Sequence, residues 1–376
     1  MSSRLSLRKI QMPWNAAFEA MGERWRGLSR TSRWLGYAAM FILAVSLPNI
    51  PGLANIMAPG SSWQRILFFP ISIYVLLALG LNVVVGYAGL LDLGYVAFFA
   101  IGAYSMAILG VDYGWGFWEV LPVGIGLAML SGLLLGSPTL RLRGDYLAIV
   151  TLGFGEMIRQ TANNLDSLGG PRGIIGVPRP PGIGNIPFLQ FGVLDSRPYY
   201  YLVVVMIVIV IVIMKRLEKS RVGRSWAAIR EDEDAAQLMG VPTLTFKLWA
   251  FTVGAAVGGG AGVVFASAST AIQPTDFPFL LSATILAAVV LGGAGNIPGV
   301  ILGAFLVAWL PEVSRGFSQY RVLVFGAALV VLMIFRPQGI WPSKVRAAEL
   351  SEGEGGIGRL GGEVGTVPAQ TGAVDL

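Results

Sequence analysis

The sequence of 376 residues contains no cysteine and no histidine, and only 13% of its residues are charged. Without cysteine there is no disulfide framework and no thiolate metal site; without histidine the imidazole base and imidazole ligand are missing as well. Any chemistry is left to carboxylates, hydroxyls and other bases. Lysine is scarce, and none follows a glycine, so the phosphate-binding loop that ends in Gly-Lys is absent. If ATP drives this protein, another subunit must bind the nucleotide. No nucleophile-and-base pattern, no HExxH and no paired carboxylates at defined spacing on one helix are present, which speaks against an enzyme.

What fills the chain instead is apolar. Hydrophobic residues make up 55% and the mean hydropathy is +0.68, which excludes an ordinary soluble domain and indicates a multispanning helical membrane protein. The net charge of +6 is concentrated in the amino-terminal arm and the internal loops. It therefore reports membrane orientation and not nucleic-acid binding.

Residues 1–33 carry Arg4, Arg8, Lys9, Arg24, Arg26, Arg30 and Arg33 against Glu19 and Glu23, a balance expected of a cytoplasmic arm. No small-residue cleavage site follows the first apolar run, so the arm reads as uncleaved. It is either an amphipathic segment on the inner leaflet, through Met12, Trp14, Phe18, Met21 and Trp25, or a disordered basic tail. Charge-poor stretches then mark spans, given that about 20 residues cross the hydrocarbon core. One lies between Arg33 and Arg65, followed by Ile66 to Val85, Tyr95 to Leu109, Val120 to Leu140 and a more polar fifth, Tyr146 to Ile158. A loop rich in glycine and proline, residues 160–198, falls outside. The chain returns through Tyr199 to Met214, and after a charged loop continues through Leu248 to Thr270, Phe279 to Leu291, Val300 to Leu310 and Val322 to Phe335. The expectation is an all-α integral membrane protein of ten spans within residues 34–336, with both termini cytoplasmic. Eight or nine remain open, because the segments near 95, 146, 279 and 300 are short enough to be half-helices or re-entrant. Residues 337–376, glycine-rich and poor in apolar residues, read as a disordered cytoplasmic tail.

Residues 215–247 form the long charged stretch inside this membrane chain. Lys215, Arg216, Lys219, Arg221 and Arg224 follow an apolar run and place the loop in the cytoplasm. A short helix opens with Glu231 to Asp234, runs through Ala235, Ala236, Gln237, Leu238 and Met239, and stops at Gly240 with Pro242 beyond. Two short helices meeting near Arg230 to Asp232 are expected. The competing reading is a solvated loop helix.

Two glycine-rich breaks resemble each other, VVVGYAG at 83–89 and VVLGGAG at 289–295, each followed by a Gly-Ala pair, Gly102-Ala103 and Gly303-Ala304. They suggest two related halves whose helices break beside a central pathway, as in many transporters; close helix packing is the simpler use of the same glycines. Polar residues within apolar runs tend to face a cavity or a partner. The candidate path residues are Asn82, Gly86, Gly89, Asp92, Thr151, Glu156, Gly292 and Gly295. Glu156 and Arg159, three apart, can instead form a local ion pair, and Asp92 and Asp145 can instead cap helices.

Four stretches carry a family resemblance: GLNVVVGYAGLLDLGYVAFFAIGAYSMAIL at 80–109, GDYLAIVTLGFGEMIRQTANNLDSLGGPRGIIGVP at 144–178, RVGRSWAAIREDEDAAQLMGV at 221–241 and VVLGGAGNIPGVILGA at 289–304. In this order they resemble the LivM-type permease subunit of branched-chain amino acid ABC importers, over roughly Arg65 to Pro342. The resemblance implies a bacterial inner-membrane subunit paired with a LivH-like second permease, two cytoplasmic ATPase subunits that hold ATP and magnesium, and a periplasmic solute-binding protein. This chain itself would hold no cofactor. The wider importer class carries a cytoplasmic Glu-Ala-Ala-x-x-x-Gly motif that inserts into the ATPase. Asp234, Ala235, Ala236 and Gly240 match it, with Asp for Glu, while the Ile-x-Leu-Pro that follows in that class is not evident. Arg230, Leu238 and Met239 join them as coupling candidates, with Trp226, Ile229, Leu238 and Met239 as apolar anchors. Arg172, Arg179 and Arg197 in the outer loop are candidate contacts for the binding protein. The implied substrates are leucine, isoleucine and valine. A related permease for urea or short amides and a stand-alone transporter or channel are the alternatives.

Overall fold

The structure is a computed structural model that describes residues 36, 39, 41–50, 62–140, 144–182, 190–192, 195–313, 326, 327, 330 and 339–341. The basic arm 1–33, nearly all of the tail 337–376, most of the last expected span and part of the first lie outside these residues.

Helix α1 runs Trp63–Tyr87. It bends at Phe69, whose backbone is extended (φ −132°, ψ 124°) ahead of Pro70, because proline offers no N–H to the ladder and disfavours helical geometry in the residue before it. Its last turn widens into a π turn, Val83–Tyr87, a feature common at functional sites. The chain then breaks at Gly89, which takes φ +72°. Helix α2, Val96–Val111, α3, Phe117–Thr139, and α4, Asp145–Asn164, follow. A two-residue strand β1, Ile174–Ile175, precedes α5, Arg197–Glu218. The charged loop folds as α6, Arg221–Glu231, and α7, Glu233–Leu238. After these come α8, Thr243–Ser269, strand β2, Ala271–Ile272, α9, Phe279–Gly292, and α10, Ile297–Val313.

Among the described residues, five stretches are long and apolar enough to cross a membrane: Trp63–Tyr87, Phe117–Thr139, Arg197–Glu218, Thr243–Ser269 and Pro274–Gly292. Helices α2 and α10, also apolar, measure about 24 to 26 Å at 1.5 Å per residue, short of a core about 30 Å thick. Helix α4 continues to Asn164, past the expected end at Ile158. The long loop accordingly begins at 165 and not at 160.

Helix α8 is the centre of the packing, lying against α3, α2 and α1. The sequence allows this because its C-terminal part, GAAVGGGAGVVFASAS, is rich in small residues that let backbones approach. At the α2 crossing, a Cβ on Gly102 would fall 2.0 Å from the carbonyl oxygen of Gly259. Tyr95 is fully buried, and its hydroxyl donates to the carbonyl of Gly254 across the same seam, at 2.9 Å, which satisfies its polar end. Helix α1 then joins this group to the α9–α10 pair, and α5 packs along α1.

At one end of the bundle the loop after α4 is pinned to the end of α8. Strands β1 and β2 pair antiparallel, Ile174 opposite Ile272 and Ile175 opposite Ala271, and Ser267 Oγ donates to the carbonyl of Pro178 at 2.8 Å. This short pairing is a departure from the all-α expectation; two residues per strand leave too little alternation to read from sequence.

Candidate coupling site

The charged loop is built by local capping. Ser220 Oγ accepts from the backbone N–H groups of Val222 (3.1 Å) and Gly223 (3.4 Å), which starts α6. Asp232 leaves helical geometry (φ −154°, ψ 113°), and its carboxylate accepts from the N–H of Ala235 at 2.9 Å, starting α7. The two helices therefore meet at Asp232. At the other end Gly240 N bonds to Gln237 O and Val241 N to Ala236 O, both at 3.0 Å, with Gly240 at φ +84°. That is the double closure in which a left-handed residue satisfies a helix's last carbonyls, and glycine adopts it without steric cost.

The loop has two faces. Inward, the Trp226 side chain is fully buried; its indole N–H donates to the carbonyl of Phe246 at 2.7 Å, and its ring stacks on Tyr87 with centroids 6.4 Å apart and 13° between planes. Ile229 is buried beside it. Arg230 Nη1 donates to the carbonyl of Gly86 at 2.7 Å. Lys247, buried near the start of α8, pairs with Glu233 of α7. Outward, Leu238 is 88% exposed and Met239 85%, next to exposed Asp234, Ala235 and Gly240; Ala236 is buried. The expected apolar anchors thus divide. Trp226 and Ile229 hold the loop to the bundle, whereas Leu238 and Met239 project from it, because α6 turns its apolar face to the membrane helices while α7 buries only Ala236.

The two glycine breaks touch each other at this end of the bundle. Asn82 Oδ1 accepts from the N–H of Gly295 at 2.8 Å, and a Cβ on Gly86 would lie 2.4 Å from the same nitrogen. Gly89 abuts Arg230, where a Cβ would come within 2.9 Å of Cγ. Asn82, Gly86, Gly89 and Gly295 therefore form one cluster. Asp92 and Thr151 form a second, both fully buried: Asp92 Oδ1 accepts from Gly94 N at 2.9 Å, and Thr151 Oγ1 accepts from Leu93 N at 3.0 Å. Gly292 belongs to the α9–α10 contact, its added Cβ falling 2.3 Å from the carbonyl oxygen of Gly299. Glu156 stands apart, half-exposed on α4, accepting from Arg159 Nε at 2.9 Å and Gln160 Nε2 at 2.8 Å. In the loop after α4 Arg172 is exposed and Arg179 half-buried, and Arg197 at the start of α5 is half-buried, 3.9 Å from Asp195. Among the described residues no group of three or more carboxylates gathers as a metal site.

Sequence reading missed three of these contacts. The Lys247–Glu233 pair had one signal, a lysine standing alone at the edge of an apolar run, which calls for a partner. The Tyr87–Trp226 stack and the Asn82–Gly295 bond had none, because their partners are distant in sequence.

A family described as branched-chain amino acid transport system / permease component matches residues 66–335. The chain belongs to this family. The permease is 44% identical over 299 residues to the high-affinity branched-chain amino acid transport system permease protein LivM of Escherichia coli strain K12, covering 75% of this chain and 70% of that one. It is 26% identical over 328 residues to a probable branched-chain amino acid transport permease protein LivM of Methanocaldococcus jannaschii, covering 72% and 91%. A shorter alignment, 31% identical over 126 residues, joins it to the high-affinity branched-chain amino acid transport system permease protein LivH of Escherichia coli strain K12, covering 33% and 41%. No solved structure matches the permease. With the family and the apolar helices together, the permease is a multi-pass membrane protein.

Proposed function

We propose that the permease is the LivM-like membrane subunit of an ATP-driven importer in the bacterial inner membrane, forming half of the path for leucine, isoleucine and valine. A LivH-like permease supplies the other half, a periplasmic binding protein delivers the solute, and two cytoplasmic ATPases bind ATP and magnesium. The observation that carries this reading is the tip of α7. Leu238 and Met239 stand almost fully exposed beside Gly240, on a loop whose other face is held by a buried tryptophan, a charged pair and an arginine. Two large apolar side chains on a rigid, cytoplasm-facing projection have the character of interface anchors. The Asp-Ala-Ala-x-x-x-Gly pattern across them supports an ATPase as the partner.

Ten spans in two related halves, with both termini in the cytoplasm, complete the proposed topology. Closure of the ATPases moves the loop, and the permease pair alternates between outward and inward access without changing the solute. An affinity tag on this chain, purified in mild detergent from cells expressing the whole system, is expected to bring down the second permease and both ATPases. Recovery of this chain without an ATPase would overturn the assignment.

A further inference from the structure

We infer that Arg230 is a positioning residue that ties the docking loop to both glycine breaks, so that force on α7 reaches α1 and the turn at 293–295 directly. The inference rests on the docking reading above and adds the route. A loop between α5 and α8 would be expected to act on those two helices alone. Its contacts to α8, Trp226 to Phe246 and Glu233 to Lys247, are joined by a second set to the end of α1.

The guanidinium of Arg230 meets the carbonyl of Gly86 at 2.7 Å, within the last turn of α1. A helix has no further N–H groups there to offer its carbonyls, and its dipole favours a cation at that end. The fit is close: a Cβ on Gly89 would lie 2.9 Å from Arg230 Cγ and 3.3 Å from its Cβ. Trp226, one helical turn earlier on the same face of α6, is locked between Tyr87 and the carbonyl of Phe246. Helix α6 is thereby fixed against the end of α1 at two successive turns, and Arg230 cannot follow the loop without carrying Gly86.

From Gly86 the connection continues. Asn82 lies four residues earlier, on the same side of α1, and its carboxamide oxygen holds the N–H of Gly295 at 2.8 Å. The turn at Gly293 and Gly295 depends on left-handed backbone, φ +108° and +87°. A displacement of Arg230 is thus delivered, through two hydrogen bonds and one helical turn, to the point where the second break leads into α10. Loop and breaks form one contiguous unit of the kind through which coupling travels.

The test uses the complete transporter, with both permeases, both ATPases and the binding protein, in proteoliposomes, reading labelled leucine taken up per ATP hydrolysed. Arg230→Met is expected to lower that ratio about tenfold or more with the ATPases still attached; Arg230→Lys, whose ammonium can donate to the same carbonyl, is expected to restore most of it. A second variant removes dependence on the arginine. Cysteines at 89 and 230 lie within disulfide reach, and the chain has no native cysteine. Gly89→Cys with Arg230→Cys is expected to be uncoupled when reduced and recoupled when oxidised, with Gly89→Cys alone controlling for strain at the left-handed glycine. A ratio for Arg230→Met equal to that of the unaltered transporter overturns the inference, as does loss of the ATPases from that variant, or a crosslinked pair that stays uncoupled. If the unaltered chain does not hold the ATPases, it is the docking reading that fails, and the two failures are told apart.

Discussion

Replacing Leu238 and Met239 together with glutamate is expected to strip the ATPases from the permease and abolish ATP-driven uptake, with the fold intact. Each side chain is more than four-fifths exposed, so neither substitution disturbs internal packing, and glutamate is as good a helix former as methionine. At an interface the same positions behave differently. A central apolar anchor is worth about 2 kcal/mol or more, and two of them lost together weaken binding roughly a thousandfold, before the cost of desolvating two new carboxylates. Co-purification with the ATPases is the direct readout, and an unchanged size-exclusion profile and thermal transition of the permease confirm that folding is not at issue. ATPases recovered at the unaltered ratio would show that the tip of α7 is not their seat. Ala235→Trp, on the same exposed surface, is expected to act in the same direction through bulk.

Gly102→Leu has the largest expected effect on the fold. The carbonyl oxygen of Gly259 lies 2.0 Å from where the new Cβ would be, and it is backbone, so no rotamer change clears it. Helix α8 has no slack to give, since a Cβ on Gly259 would itself lie 2.4 Å from the Ala128 methyl and 3.0 Å from the carbonyl oxygen of Gly124. Overpacking of this kind costs about 3 kcal/mol or more when the obstruction cannot rotate away. The α2–α8 seam also positions Tyr95 against Gly254, so the loss extends to a buried hydrogen bond. The expected outcome is an aggregated or degraded protein in place of a monodisperse peak after detergent extraction. Gly126→Ala is the matched control on α3, where an added Cβ meets nothing within 4 Å; it is expected to behave as the unaltered chain. A folded, active Gly102→Leu variant would mean that α2 and α8 are not in backbone contact.

Much of this was legible in the chain of residues, and the limits have physical causes. Segment positions follow from hydropathy because a lipid-facing helix must be apolar over its whole length. Helix α4 was the exception: Glu156 and Arg159 form the local pair expected of them, but the helix runs past the expected end at Ile158 to Asn164. Two short helices meeting near Arg230 to Asp232 and a stop at Gly240 were legible in the loop, whereas the caps at Ser220 and Asp232 were not read, and Glu231 ends α6 where it was expected to open α7. Which face of the loop turns inward was not marked. Trp226 and Leu238 are both large and apolar, and only the position of α1 decides that one is buried and the other exposed. Asn82 read as a path residue because a carboxamide in an apolar run needs a reason. The reason the structure supplies is Gly295, 213 residues away, a contact that periodicity within a single segment does not encode.

Uptake of labelled leucine into proteoliposomes bears most directly on the central claim that this chain is the permease of an ATP-driven pair. The vesicles hold this permease, its LivH-like partner and both ATPases, with the binding protein outside and ATP on the ATPase side. The predicted result is accumulation that requires ATP and every subunit, and that disappears when this chain is left out. Leucine uptake by this chain alone, without nucleotide or ATPase, would contradict it.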